Sequence, residues 1–149
     1  MVLYGRFSYP TDEHFDVTFG NPPFGKIKTS DSYKGEYTGS EFEYKVIEFG
    51  SLLADYGVSI MPQGSAGFRY SGAAYYERVT NQKYYKFEKD TGLYLEAGCG
   101  VDTSIYRDQW HSTNVLTEVV APCLEKVGIM VPDVDAVVRS MLMMLMMLN

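Results

Sequence analysis

Apolar and polar positions alternate in a short segment near the start of the chain, and this pattern predicts a strand. Phe15–Phe19 has apolar residues at every second position, which is the period of a half-buried strand. The next segment, Gly20–Gly25, contains two adjacent prolines, and prolines do not continue a central strand. We therefore expect a strand that ends before Asn21 and opens into a loop.

The strongest helix pattern in the chain lies over Glu41–Tyr56. Gly57 follows it and is a typical helix stop. The apolar run Val58–Met61 then has the character of a buried strand. Strand, loop, helix and strand in this order predict a βαβ unit with a parallel strand pair. The helix prediction rests on one apolar stripe, formed by Phe42, Val46, Phe49 and Leu53.

The second half of the chain predicts further helices and a pair of strands. Ala73–Asp90 favours a helix or a helix pair, and Leu93–Ala97 and Val115–Val120 favour strands. A last helix is predicted over Pro132–Leu148. Its end, Met141–Leu148, is apolar on all sides, as in a core or interface helix. A tail produced by a shifted reading frame is the alternative interpretation.

Length and composition predict one globular domain that covers residues 1–149. The chain has 149 residues, of which 46% are hydrophobic and 21% charged, as in ordinary folded proteins. The net charge of -6 argues against an overall basic face of the kind that free-standing nucleic-acid binders carry. Any contact with DNA would therefore need a local patch or another chain.

The cysteines and histidines predict neither a disulfide framework nor a metal site. Cys99 and Cys123 are the two cysteines, and His14 and His111 the two histidines. They are too few and too scattered for a zinc pattern. The sequence has no apolar run that would span a bilayer and no secretory signal at its start. We therefore expect reduced thiols in a cytoplasmic protein with no membrane partner.

The segment Asn21-Pro22-Pro23-Phe24 carries the most informative chemistry. It follows a predicted strand of a βαβ unit, at the end where open α/β sheets bind ligands. An asparagine side chain accepts and donates hydrogen bonds, and two prolines fix the backbone and contribute carbonyls but no N–H. Phe24 adds an aromatic surface. Together these groups suit a planar ring that bears an exocyclic amine.

This segment resembles the catalytic motif of the N6-adenine DNA methyltransferases, which is Asn/Asp-Pro-Pro-Tyr/Phe after a strand. The resemblance implies a Rossmann-like α/β fold with a mixed, mostly parallel sheet and flanking helices. It also implies that Asn21 and the Pro22 carbonyl accept hydrogen bonds from the adenine amine, while Phe24 stacks on the flipped base. S-adenosylmethionine would be the methyl donor, and adenine in DNA the substrate, as in restriction–modification systems or mobile elements.

The resemblance covers only the catalytic half of such a domain, about residues 15–120, since 20 residues precede Asn21. A substitute for the missing cofactor loop is Leu93–Gly100, whose Glu96, Gly98 and Gly100 resemble the methyltransferase cofactor loop. The alternative is that the strands on either side of this turn form the antiparallel hairpin that closes the methyltransferase sheet. In that case a second polypeptide or a homodimer partner would supply the cofactor half.

Two functions of different class follow. The first is the catalytic portion of an adenine methyltransferase, with Arg69 and Tyr70 as contacts near DNA because they follow the second strand. The second is a non-catalytic interaction module, or a degenerate remnant, that docks on a partner through the methionine-rich helix. In the second case Asn21 merely ends a strand.

Overall fold

The computed structural model describes residues 14–28, 33, 35–97, 100–109 and 114–124. Over these residues the protein has an α/β fold with a mixed four-stranded sheet of order β1-β2-β6-β5 and a separate two-stranded ribbon, β3-β4. Two short 3₁₀ turns cover Gln63–Ser65 and Thr103–Gln109. The elements are β1 (Phe15–Gly20), α1 (Phe42–Leu53), β2 (Ala54–Pro62), β3 (Phe68–Arg69), β4 (Glu77–Arg78), α2 (Gln82–Thr91), β5 (Leu93–Glu96) and β6 (Thr117–Leu124).

The predicted βαβ unit is present. β1 and β2 are parallel, with Gly20 opposite Ser59 at the end of β1. The helix between them ends at Leu53, whereas the sequence pattern predicts an end at Tyr56. Pairing with β1 is the reason, because Ala54 and Tyr56 already lie in register with that strand. Cross-strand hydrogen bonds thus override the helical pattern of the sequence here.

β6 runs antiparallel to both of its neighbours, β2 and β5. The predicted antiparallel pairing of Leu93–Glu96 with the last strand is confirmed in direction. Its residues differ, because β5 pairs with Ala121–Leu124 and not with the predicted Val115–Val120. In the described residues, the β1-β2 pair is parallel and the other two strand pairs of the sheet are antiparallel. The expectation of a mostly parallel sheet is therefore wrong. The last strand also begins later than predicted and extends to Leu124.

The helix predicted over Ala73–Asp90 is wrong in its first half. Residues 77–78 form β4 instead, which pairs with β3. The helix begins at Gln82, because the side chain of Asn81 accepts a hydrogen bond from the Tyr84 backbone N–H at 2.9 Å and so caps the first turn. Gly92 ends the helix in the left-handed conformation, at φ 70°.

A single hydrophobic cluster joins both helices to three strands of the sheet. At its centre, the Tyr44 and Phe87 rings stack at 4.6 Å between centroids, and Tyr37 packs edge-on against both rings. The helix predicted over Pro132–Leu148 lies outside the described residues. Among the described residues, no helix has the length and apolar character needed to cross a membrane.

Candidate functional site

The predicted catalytic segment lies directly after β1, at the edge of the sheet where the parallel strand β2 also ends. Asn21 is exposed, Pro22 is buried, Pro23 is exposed and Phe24 is half-buried. The Asn21 side chain forms no hydrogen bond with any other described residue. An exposed amide and a half-buried aromatic residue thus lie three positions apart in the segment that follows β1.

The residue before this segment is a glycine for a steric reason. A Cβ atom at Gly20 would lie 2.5 Å from the Ser59 hydroxyl oxygen, which is closer than real Cβ contacts. The absence of a side chain therefore leaves room for the Ser59 hydroxyl beside the last residue of β1. This contact fixes one end of the Asn21–Phe24 segment against the sheet.

The other end of the segment is fixed to α1. Gly25 adopts a positive φ of 102°, and its carbonyl accepts a hydrogen bond from the Phe42 N–H at 2.9 Å. The Gly25 N–H donates to Oε2 of Glu43 at 3.1 Å. The turn after Phe24 is therefore attached to the first turn of the helix by two hydrogen bonds.

Glu43 also binds the turn that follows β2. Its Oε1 accepts a hydrogen bond from the Ser65 hydroxyl at 3.0 Å. The neighbouring Tyr44 hydroxyl donates to the Ser65 carbonyl at 2.7 Å. Both contacts are buried, and burial raises the pKa of the Tyr44 hydroxyl above its ordinary range. It stays a neutral donor at physiological pH.

A second buried carboxylate, Glu118, holds the loop beyond this turn. It lies on β6 and is 1% exposed. Its donors are the Gln63 side-chain amide at 2.7 Å, the backbone N–H of Tyr70 at 2.8 Å, and the backbone N–H and hydroxyl of Ser71 at 2.9 and 2.8 Å. A buried carboxylate needs such partners, so Glu118 fixes the path of the chain from β2 to β3 and past it.

The network continues to the turn after β5. The Thr103 backbone N–H donates to the Ser71 hydroxyl oxygen at 3.0 Å, and the Thr103 hydroxyl donates to the Thr117 carbonyl at 2.6 Å. Asp102 accepts hydrogen bonds from the Ser104 hydroxyl and N–H and from the Gly72 N–H. Hydrogen bonding by Ser104 outweighs partial burial and lowers the pKa of Asp102. Three loops are thereby joined at one edge of the sheet.

The two residues predicted to contact DNA have different surroundings. Arg69 is exposed and lies opposite Glu77 in the register of the β3-β4 ribbon. Tyr70 is half-buried and packs against the hydrophobic cluster. Its hydroxyl lies 3.8 Å from the position that a Cβ atom would take at Gly100. Arg69 is the last residue of β3, and Tyr70 begins the loop that Glu118 anchors.

The residues predicted for cofactor binding are described only in part, because Gly98 lies outside the described residues. Glu96 forms an ion pair with Arg78, and Arg78 also donates to the Leu95 carbonyl at 3.2 Å. Gly100 has φ 58° and donates its N–H to the Ala97 carbonyl at 3.1 Å. Their role as a cofactor loop stays a prediction.

In the part of the chain that the structure describes, no three His, Cys, Asp or Glu side chains are grouped as metal ligands. Sequence reasoning missed Glu43 and Glu118, which link the loops. The available signal was an acidic residue next to hydrophobic ones, between Phe42 and Tyr44 in one case and before Val119 in the other. A charge placed there predicts a buried, hydrogen-bonded carboxylate.

Comparisons with known proteins leave the family open. No family model matches the sequence. Searches of curated proteins and of solved structures likewise found no match.

Proposed function

We propose that this chain is the catalytic portion of an N6-adenine DNA methyltransferase. It would transfer a methyl group from S-adenosylmethionine to adenine in DNA, as in restriction–modification systems. The proposal depends mainly on one observation, which is that Asn21 is exposed directly after the carboxyl end of β1, in the segment that also carries Phe24. Ligand sites of open α/β sheets lie at this end of the strands.

The chemistry requires positioning more than acid–base catalysis. The Asn21 side-chain oxygen and the Pro22 carbonyl accept the two N–H groups of the adenine amine. These hydrogen bonds would orient the amine nitrogen and leave its lone pair free to accept the methyl group, which is a gain from orientation. The nitrogen would then lose one of its protons to solvent. Phe24 stacks on the base. This stacking offsets the cost of flipping the base out of a duplex, which is roughly a few kcal/mol. S-adenosylmethionine supplies the methyl group when bound.

The direction of the strands supports the proposal. β1, β2 and β5 run the same way, and β6 lies between β2 and β5 in the opposite direction. A parallel βαβ unit closed by an antiparallel hairpin is the arrangement that the resemblance implies for the catalytic half of the sheet.

The cofactor half is proposed to come from a second polypeptide or a second copy of the chain. One carboxylate oxygen of Glu96 is paired with the Arg78 guanidinium, which gives this side chain a partner within the sheet and ribbon of the chain itself. This pairing favours the hairpin interpretation of the segment around Glu96, and we derive no cofactor contact from it.

Methyl transfer to an adenine-containing DNA duplex tests the proposal, with N6-methyladenine measured by mass spectrometry. Asn21→Ala removes the acceptor oxygen, and we expect a loss of about 100-fold or more, as for other preorganised hydrogen-bonding groups. Asn21→Asp keeps an acceptor oxygen and matches the other form of the motif, so it should retain activity. Circular dichroism of each variant controls for folding.

Calorimetric titration with S-adenosylhomocysteine separates the remaining outcomes. Binding together with methyl transfer supports an enzyme that is complete in this chain. Neither binding nor transfer by the isolated chain, with both restored by a partner polypeptide, supports the catalytic portion of a two-chain enzyme. The third outcome is no methyl transfer in any combination, together with an Asn21→Ala variant that changes only stability. This outcome supports the non-catalytic module.

A further inference from the structure

Glu43 is the one described side chain that hydrogen-bonds both the turn after Phe24 and the turn after β2. It lies in the first turn of α1 and is 2% exposed. One carboxylate oxygen accepts from the Gly25 N–H at 3.1 Å, and the other from the Ser65 hydroxyl at 3.0 Å. Its two oxygens therefore set the distance between the two turns.

We infer that Glu43 is a positioning residue, which fixes the Asn21–Phe24 segment relative to the neighbouring loop and so sets the geometry of the adenine site. The adenine part of this inference rests on the proposed function. The positioning itself rests only on the contacts of Glu43.

The segment between the two fixed ends is stiff, so an anchor at its end acts along its whole length. Gly20 is in close contact with Ser59 on one side, and Gly25 is bound by Glu43 on the other. Between them Pro22 and Pro23 each have a restricted φ angle. Movement of the Gly25 anchor is therefore transmitted to Phe24 and Asn21.

Loss of the carboxylate would remove one of the two hydrogen bonds that hold Gly25, and so loosen the segment rather than unfold the protein. The Gly25 N–H would lose its partner, while the Phe42 N–H would still bind the Gly25 carbonyl. A displacement of a reacting group by about 1 Å costs about 100-fold in rate. We therefore expect the effect on catalysis to exceed the effect on folding.

Three variants test the inference. Glu43→Ala removes both contacts. Glu43→Gln keeps them, because its oxygen accepts from the Gly25 N–H and its NH₂ donates to the Ser65 hydroxyl oxygen. Glu48→Ala is the matched control, since Glu48 is on the same helix and 4% exposed. Glu48 binds another segment, through the backbone N–H groups of Glu36 and Tyr37.

Amide hydrogen exchange and methyl transfer are measured on all three variants, in the combination of chains in which the wild type is active. We expect Glu43→Ala to speed exchange of the Gly25 amide and to lower kcat about 100-fold, with KM changed far less. Glu43→Gln should remain within a few-fold of wild type. Glu48→Ala should lose stability without these changes.

The outcomes separate the two claims. If Glu48→Ala lowers kcat as much as Glu43→Ala, or if Glu43→Ala leaves the Gly25 amide as protected as in the wild type, Glu43 has only a structural role. If no combination with the wild type transfers a methyl group, the proposed function fails. In that case the Gly25 exchange rates in the three variants still decide whether Glu43 positions the segment.

Discussion

The Ser71 hydroxyl donates a hydrogen bond of 2.8 Å to Oε2 of Glu118. This contact ties the loop after β3 to the antiparallel strand β6, and it joins residues that are 47 positions apart in the chain. Ser71 is itself 1% exposed. The loop that begins at Tyr70, directly after Arg69 of β3, is therefore held by the buried Glu118 carboxylate as well as by apolar packing.

Replacing Glu118 tests this anchor. Glu118→Ala leaves the N–H groups of Tyr70 and Ser71 without their acceptor in a buried site, and each such loss costs about 1–3 kcal/mol. We expect the free energy of unfolding to fall by about 3 kcal/mol or more, measured by urea denaturation. Glu118→Gln keeps one acceptor oxygen and should cost less. A change below about 0.5 kcal/mol for Glu118→Ala would contradict the role of this carboxylate.

Gly67 is a second position where a small change should have a large effect. Its φ is 76°, and a Cβ atom there would lie 2.4 Å from the Tyr84 ring. Gly67→Ala combines left-handed strain with overpacking, so we expect a loss of about 2–4 kcal/mol.

Gly92→Ala is the matched control for this prediction. Gly92 has a similar φ of 70°, but nothing lies within 4 Å of the added Cβ position. The Gly92→Ala substitution should therefore lower the free energy of unfolding only by the backbone strain, about 1 kcal/mol. Thermal unfolding of both variants measures the difference, and equal losses would refute the predicted clash with Tyr84.

Asp90 makes the stability of the protein depend on pH in the acid range. The Thr38 backbone N–H at 2.9 Å and the Lys86 ammonium group at 3.0 Å both contact its Oδ2. With the Thr38 hydroxyl, they lower the pKa of Asp90 from 3.8 to about 2. A lowered pKa in the folded state means that ionised Asp90 stabilises the fold above about pH 4, and that this contribution is lost as the pH falls towards 2.

The Asp90→Asn variant isolates this contribution. Wild type should be more stable than the variant at pH 6, and the difference should shrink between about pH 4 and pH 2. Urea denaturation at a series of pH values gives the comparison. A difference that stays constant down to pH 2 would show that the ionisation of Asp90 does not contribute.

Local patterns predicted those parts of the fold in which a single segment determines its own structure. The helix after the loop and the end of β1 at the prolines each depend on nearby residues, and both agree with the structure. The predicted face of the helix is wrong, because Phe42, Val46, Phe49 and Leu53 are only half-buried. Tyr44 and Ile47 are the residues of α1 that enter the hydrophobic cluster. The end of α1 depends instead on pairing of Ala54 with Phe15. That partner is distant in sequence, so the helical pattern alone extends too far.

The site shows the same division. Asn21 and Phe24 could be singled out because their residue types and the preceding strand are local features. The roles of Glu43 and Glu118 depend on which backbone N–H groups the folded chain brings to them. The helix predicted over Ala73–Asp90 is too long for a related reason. β3 and β4 are only two residues each, so their pairing produces no recognisable strand pattern in the sequence.

The most direct test of the central claim is whether Asn21 and Phe24 hold an adenine base. We would titrate the isotopically labelled chain with an oligonucleotide that carries one unpaired adenine and follow the Asn21 and Phe24 amide resonances by NMR. We predict that both amide resonances shift and that the shifts saturate. The Asn21→Ala variant should bind more weakly, and an otherwise identical oligonucleotide with unpaired thymine should not produce the shifts. Shifts that are absent, or that are the same for thymine and for Asn21→Ala, would contradict the assignment of this segment as an adenine site.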